Sequence, residues 1–226
     1  MKLRVRFSKQ GLARFFSHLD LQRTLERILR RASLPIAYSQ GFNPHPRISF
    51  ASALATGTGS EGEFFDVELT EDVTPAAFLA QANLSCPAGL RMEEAHPAPE
   101  KGESLMALVN AAAYRLTVAG ADEGALREAV AELMAREEVV ITKGGKKGPR
   151  PVNIRPLLFG LEIEGANTLR AVVQTNPQGN LKPEELVTAL RSLMPGGAEF
   201  ELAQAHRLML YQRDAKTGKL TEPWEL

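Results

Sequence analysis

The residues of this chain best suited to chemistry lie in two short stretches near its start. They are Ser17-His18-Leu19-Asp20 and Tyr38-Ser39-Gln40-Gly41-Phe42-Asn43-Pro44-His45-Pro46-Arg47. His18 and His45 carry imidazoles that titrate near neutral pH, so either can move a proton or contact a phosphate. Ser17 with Asp20 three residues on spells a capping box, which assigns that pair to a helix start. In the second stretch Gly41 admits backbone conformations closed to other residues, and the Asn43-Pro44 and His45-Pro46 steps keep the chain extended. Tyr38, Gln40, Phe42, Asn43, His45 and Arg47 together suit single-stranded RNA: rings stack on bases, while amides and the guanidinium reach base edges or phosphates. Two histidines without a third ligand do not make a metal site, and none is expected.

Basic residues extend this surface. In the helix expected over 19–32, Leu21, Leu25, Ile28, Leu29 and Ala32 fall on one face, and Asp20, Arg23, Arg27, Arg30 and Arg31 fall on the other. Arginine offers a planar fork of donors matched to phosphate, so that face reads as a phosphate-binding stripe. A second basic patch, Lys143-Gly144-Gly145-Lys146-Lys147-Gly148-Pro149-Arg150, is a glycine-rich arm suited to non-specific phosphate attraction, and Asn153-Ile154-Arg155-Pro156 follows it. Gly57-Thr58-Gly59-Ser60-Glu61-Gly62 lacks the lysine and the spacing of a phosphate-binding loop and reads as a turn. No Ser-His-Asp set, catalytic carboxylate pair or metal motif stands out, so the residues point to binding rather than to a reaction, with no cofactor.

Composition narrows the class. The chain has 226 residues, 44% of them apolar, enough for a buried core in one large domain or two smaller ones. Its net charge of zero hides an asymmetry. Residues 1–60 hold ten bases against two acids, and residues 61–110 hold ten acids against two bases, +8 and −8 in turn. The basic part would attract a polyanion and the acidic part a basic partner. The single cysteine, Cys86, excludes an internal disulfide framework and any cysteine-ligated cluster made by this chain alone. No apolar run is long enough to span a membrane, and the start reads as a strand rather than a signal peptide, so a cytoplasmic protein is expected.

The elements that must position these residues follow from periodicity. Strand, helix, strand, strand, helix, strand is read over the first half and again over the second, which carries an extra hairpin strand. The fold class is α+β, as two tandem ferredoxin-like (β-α-β-β-α-β) domains. The expected boundaries are residues 1–96, a Pro-rich linker over 97–111, a second domain over 112–213 and a tail over 214–226 that holds the only tryptophan, Trp224.

Arg6-Phe7-Ser8-Lys9, Ser17-His18-Leu19-Asp20, the run from Tyr38 to Phe50 and Asn153-Ile154-Arg155-Pro156 resemble the radical SAM-linked protein family. That family is a domain of unknown function encoded beside, or fused to, a radical SAM enzyme of the cobalamin-binding type. The resemblance covers most of the chain. Where the family pattern carries an aspartate this chain has Asn153, which bears against an acid role there. Radical SAM chemistry needs three cluster cysteines, so the resemblance implies a partner or substrate-presenting protein rather than the radical enzyme, with tRNA or rRNA as its substrate. The paired-domain arrangement is also similar to that of CRISPR-repeat endoribonucleases. The expectation is a non-catalytic, RNA-binding accessory protein of a separate radical SAM enzyme. The alternatives are a metal-independent endoribonuclease using His18 or His45, and an interaction module whose acidic stretch 61–72 docks the radical enzyme.

Overall fold

The structure is a computed structural model that describes residues 1–144, 148–194 and 200–225. It is a mixed α+β fold whose sheets are mostly antiparallel, with five α-helices among the described residues. The chain divides into two compact units, residues 1–110 with 207–226, and residues 111–206.

In the first unit β1 (Lys2–Lys9) is followed by a 3-10 turn (Gly11–Phe15), α1 (His18–Arg31), β2 (Ile48–Phe50), β3 (Gly59–Glu68), α2 (Pro75–Leu84), β4 (Leu90–Pro97) and the short α3 (Leu105–Leu108). β1 lies between β3 and β4, antiparallel to both, and β2 pairs with the outer edge of β3. Leu3, Val5 and Phe7 alternate along β1 and face one way, as the period of two dictates. They pack with Leu21, Leu25, Ile28 and Leu29 of α1, Phe78 and Ala82 of α2, Phe65 and Val67 of β3, and Met92 of β4. Each fully buried side chain of this size contributes about 1.5–3 kcal/mol.

α1 begins on the capping box read from the sequence: the Asp20 amide donates to Ser17 Oγ, and the Ser17 amide donates to Asp20 Oδ2. It ends where Ser33 takes φ 52°. The Ser33 amide bonds the Arg30 carbonyl and the Leu34 amide bonds the Leu29 carbonyl, the paired bonds of a Schellman stop. Residues 37–47 form an arm. Its two sides are held by Arg47 N–H to Ala37 O at 2.9 Å and Ser39 N–H to His45 O at 2.9 Å.

The expected linker contains α3, whose Leu105 is buried. The expected tail is seated rather than loose. The Trp224 ring lies 4.6 Å from Phe64 and 4.9 Å from His96, and the Arg4 guanidinium donates to the Pro223 carbonyl. The face of β1 and β3 turned away from the helices is therefore covered by residues near the end of the chain.

In the second unit β5 (Ala111–Ala119) pairs antiparallel with β9 (Thr168–Asn176), which also pairs with β8 (Leu158–Gly165) and β10 (Gly179–Asn180). α4 (Glu123–Ala135), capped by Asp122, and α5 (Pro183–Leu193) supply its helices. β6 (Val140–Lys143) and β7 (Arg150–Asn153) pair antiparallel as a two-stranded sheet of their own, and the strand read at Val139–Thr142 is part of it. The last long strand, β11 (Glu201–Arg213), divides at residue 206 between the two units. It pairs within the first unit with β12 (Leu220–Thr221).

Candidate nucleic-acid interface

α1 presents its arginines as the period of 3.6 predicts. Arg23, Arg27, Arg30 and Arg31 are all exposed, while the opposite face fills the core. Arg27 donates to the neutral Thr24 hydroxyl at 3.0 Å. The guanidinium groups of Arg23, Arg30 and Arg31 make no ion pair or hydrogen bond with the described residues. Two acids lie on the same helix, Asp20 in its first turn and Glu26, which accepts from Gln22 Nε2 at 3.3 Å. Hydrogen bonds from the Ser17 hydroxyl and amide, then the Arg23 and Arg27 charges, hold the Asp20 carboxyl below the usual range. Arg30 and Arg31 stand in the last turn, where cations are also favoured by the helix dipole.

The arm at 37–47 exposes Gln40, Gly41, Phe42, Asn43 and His45. Phe42 has no cover at all, and Gly41 beside it takes φ 127°, a conformation that favours glycine. Tyr38 is bridged to Pro46 and stays 38% exposed. Arg47 is committed to Glu68 at 2.8 Å. His18 sits at the other end of α1, its ring edge-on to Phe50 at 5.1 Å. The two histidines are not brought into contact, and neither ring is hydrogen-bonded to a carboxylate among the described residues. No group of three or more His, Cys, Asp or Glu side chains is placed to hold a metal among those residues.

The second basic patch is less available than its composition suggests. Lys143 Nζ pairs with Glu185 at 2.7 Å and donates to the Asn180 carbonyl. The Arg155 guanidinium donates to the carbonyls of Leu158 and Met134, tying the turn after β7 to α4. The Asn153 amide oxygen accepts from the Val139 and Arg155 amides. Arg150 is exposed at the start of β7. Lys146 and Lys147 lie outside the described residues.

Part of the acidic stretch is likewise engaged inside the first unit. Asp66 pairs with Arg4, both nearly inaccessible, and Glu68 pairs with Arg47. Glu63 is buried together with Arg207, whose Nε and Nη2 reach its two oxygens at 2.7 Å each. Ser60 Oγ donates to Glu63 Oε1 at 2.7 Å, and Arg207 also donates to the Ala53 carbonyl. The fully buried Lys9 donates to the Phe16 carbonyl at 3.0 Å, fixing the chain just ahead of the Ser17 cap. Burial pushes its amine below the usual lysine range, with Glu63 opposing and Arg207 reinforcing that shift.

Sequence reasoning missed the 3-10 turn Gly11–Phe15, where Leu12 and Phe15 are exposed and the Arg14 guanidinium lies 4.8 Å from the Phe15 ring centre. An apolar residue next to an arginine, just ahead of a capped helix, was the available signal. A cavity of about 410 Å³ elsewhere in this unit is lined by Ser8, Asn83, Cys86, Arg91 and Glu93. Burial raises the Cys86 thiol, the direction opposite to an activated nucleophile.

Residues 2–183 match the family of uncharacterized proteins conserved in bacteria, DUF2344, and the chain belongs to that family. No curated protein matches it. Among solved structures, one chain in the crystal structure of a Cbf5-Nop10-Gar1 complex is similar in fold, with a TM-score of 0.52 and 12% identity over 94% of this chain. The match spans 50% of that longer chain. No helix of the described residues is long and apolar enough to cross a membrane.

Proposed function

We propose that this protein is a non-catalytic RNA-binding accessory protein, and that the arginine face of α1 with the arm at 37–47 is its RNA interface. One observation carries the reading: four exposed arginines share one helix face, and none of them has an ion pair within hydrogen-bonding reach among the described residues. A surface that leaves so much planar, forked cation unneutralised is matched to phosphate. The exposed rings of Phe42 and Tyr38 add stacking faces to it. We assign the frame that holds this interface to the ferredoxin-like class in each unit. The order β4-β1-β3-β2 in the first unit and the order β8-β9-β5 in the second support that assignment. The enzyme it would serve is a radical SAM enzyme on a separate chain, acting on tRNA or rRNA. That part rests on the resemblance of the motifs at Arg6–Lys9, Ser17–Asp20, Tyr38–Phe50 and Asn153–Pro156.

The test is titration of the purified protein with tRNA and rRNA fragments at several salt concentrations. Each phosphate contact on a single strand steepens the log–log salt dependence by about 0.7. Arg23→Ala with Arg27→Ala should therefore flatten the slope by about 1.4. RNA binding that is absent, or that is indifferent to salt and to these substitutions, refutes the proposal.

A further inference from the structure

Phe15 is an exposed aromatic held in place from both sides. The Arg14 carbonyl accepts from the Gly57 amide at 2.8 Å. The Phe16 carbonyl accepts from the buried Lys9 amine at 3.0 Å, and the Phe16 amide donates to the Ala13 carbonyl at 3.0 Å. Ala13 two residues back is buried and anchors the turn. The backbone is thus clamped on each side of a ring that remains 53% exposed. Burying that ring within the unit would have stabilised the fold, so a clamp that presents it outward is matched to an external surface.

The chemistry of that surface is set by the neighbours. Arg14 lies over the ring at 4.8 Å and brings a cation to it. Leu19, exposed in the first turn of α1, starts the row that continues through Arg23, Arg27 and Arg30 or Arg31 at spacings of three and four. The row therefore leads with an apolar group at the helix start and runs into phosphate-binding groups along its length, with Phe15 two residues ahead of the Ser17 cap. A flat apolar ring beside a row of cations fits a ligand made of planar bases on a phosphate chain. The bases must be unpaired to offer a face to the ring, because a duplex keeps its bases stacked on one another.

We propose that Phe15, with Arg14 over it, is a base-stacking platform, and that the polymer bound along α1 is single-stranded RNA. This rests on the proposed RNA-binding reading and goes beyond it by naming the strand state and the residue that selects it. α1 with its 14 residues is about 21 Å long, room for several nucleotides between Phe15 and the arm.

The experiment measures binding of a fluorescent single-stranded oligonucleotide of about 10 nucleotides and of its duplex, at about 50 and 200 mM salt. Wild type, Phe15→Ala, Phe15→Tyr and the Arg23→Ala/Arg27→Ala protein are compared, with an oligonucleotide carrying a fluorescent base as a second readout. Wild type should prefer the single strand and quench the base. Phe15→Ala should lose roughly 5- to 150-fold on the single strand, the equivalent of about 1–3 kcal/mol per stacked base, with its salt slope unchanged. Phe15→Tyr should restore both affinity and quenching. Equal wild-type affinity for single strand and duplex overturns the inference, as does a Phe15→Ala protein that binds and quenches like wild type; in either case salt-dependent RNA binding through the arginines survives. Absence of binding to both forms removes the RNA reading and this inference with it.

Discussion

Replacing Glu63 by alanine tests how the base of this interface is held. Its carboxylate accepts from Arg207 Nε and Nη2 and from Ser60 Oγ, all at 2.7 Å, and its side chain is 3% exposed. Arg207 is 1% exposed and Lys9 not at all. Glu63→Ala therefore takes from the buried Arg207 guanidinium the carboxylate that its Nε and Nη2 reach, and from a nearby buried amine the charge that favours its protonated form. Removing one partner of such a pair costs about 3–5 kcal/mol, far more than an exposed pair is worth. The first unit has 130 residues, so its unfolding entropy near 60 °C is about 0.27 kcal/mol/K, and the melting temperature should fall by roughly 11–18 °C. Thermal unfolding followed by circular dichroism reads this directly. The double variant Glu63→Ala/Arg207→Met should recover much of the loss, because the buried guanidinium that had lost the Glu63 carboxylate is then gone as well. A fall of less than about 4 °C, equivalent to about 1 kcal/mol, would refute the view that Glu63 neutralises buried cations here.

Two further variants probe how the surrounding frame is built. A Cβ at Gly62 would stand 2.4 Å from the Leu208 carbonyl oxygen and 2.5 Å from Met209 Cα, both backbone atoms. Gly62→Ala should thus force strands apart and cost about 1–3 kcal/mol or more, and unchanged urea unfolding would overturn that account. Ser17→Ala removes the cap of α1 and should cost about 0.5–2 kcal/mol. The Ser17 hydroxyl is also the main reason the Asp20 carboxyl titrates below its ordinary value of 3.8. A depressed carboxyl stabilises the fold above its ordinary pKa, and that contribution is lost as pH falls through the lower folded value. Ser17→Ala should accordingly lose less stability on acidification than wild type, and identical acid limbs in the two proteins would count against the cap.

Local patterns carried much of the fold. The apolar period of α1, its capping box and the alternation of β1 depend only on neighbouring residues, and each is where the sequence placed it. The segment from Ile36 to Ser49 follows the second-strand position of the pattern. It is instead an arm around a bridge from Tyr38 to Pro46, with a regular strand only from Ile48, because Pro44 and Pro46 donate no ladder hydrogen bonds. The seating of Trp224 on Phe64 and the Glu63–Arg207 pair link residues 160 and 144 apart. Nothing in a local window signals such a contact, and an acidic residue in a strand reads as exposed until its partner is known.

The site was legible where its charge had nowhere else to go. Read as a sum, residues 1–60 are strongly basic and 61–110 strongly acidic, which suggests two opposed surfaces. The strand register cancels much of both. Arg4 stands directly across from Asp66, and Arg6 across from Glu94, as cross-strand pairs on neighbouring strands. Arg47 meets Glu68, and Lys9 lies buried within the field of Glu63. Of the acidic stretch, Glu63, Asp66 and Glu68 are engaged in such pairs, while Glu71 and Asp72 stay exposed. The same cancellation sharpens the arginine stripe. A helix turns its polar face away from the sheet that buries its apolar one, so Arg23, Arg27, Arg30 and Arg31 cannot reach the strand carboxylates that neutralise β1. Four exposed arginines are thereby gathered on one face of α1, with Arg14 beside Phe15 just ahead of the helix, a combination matched to a phosphate polymer with unpaired bases.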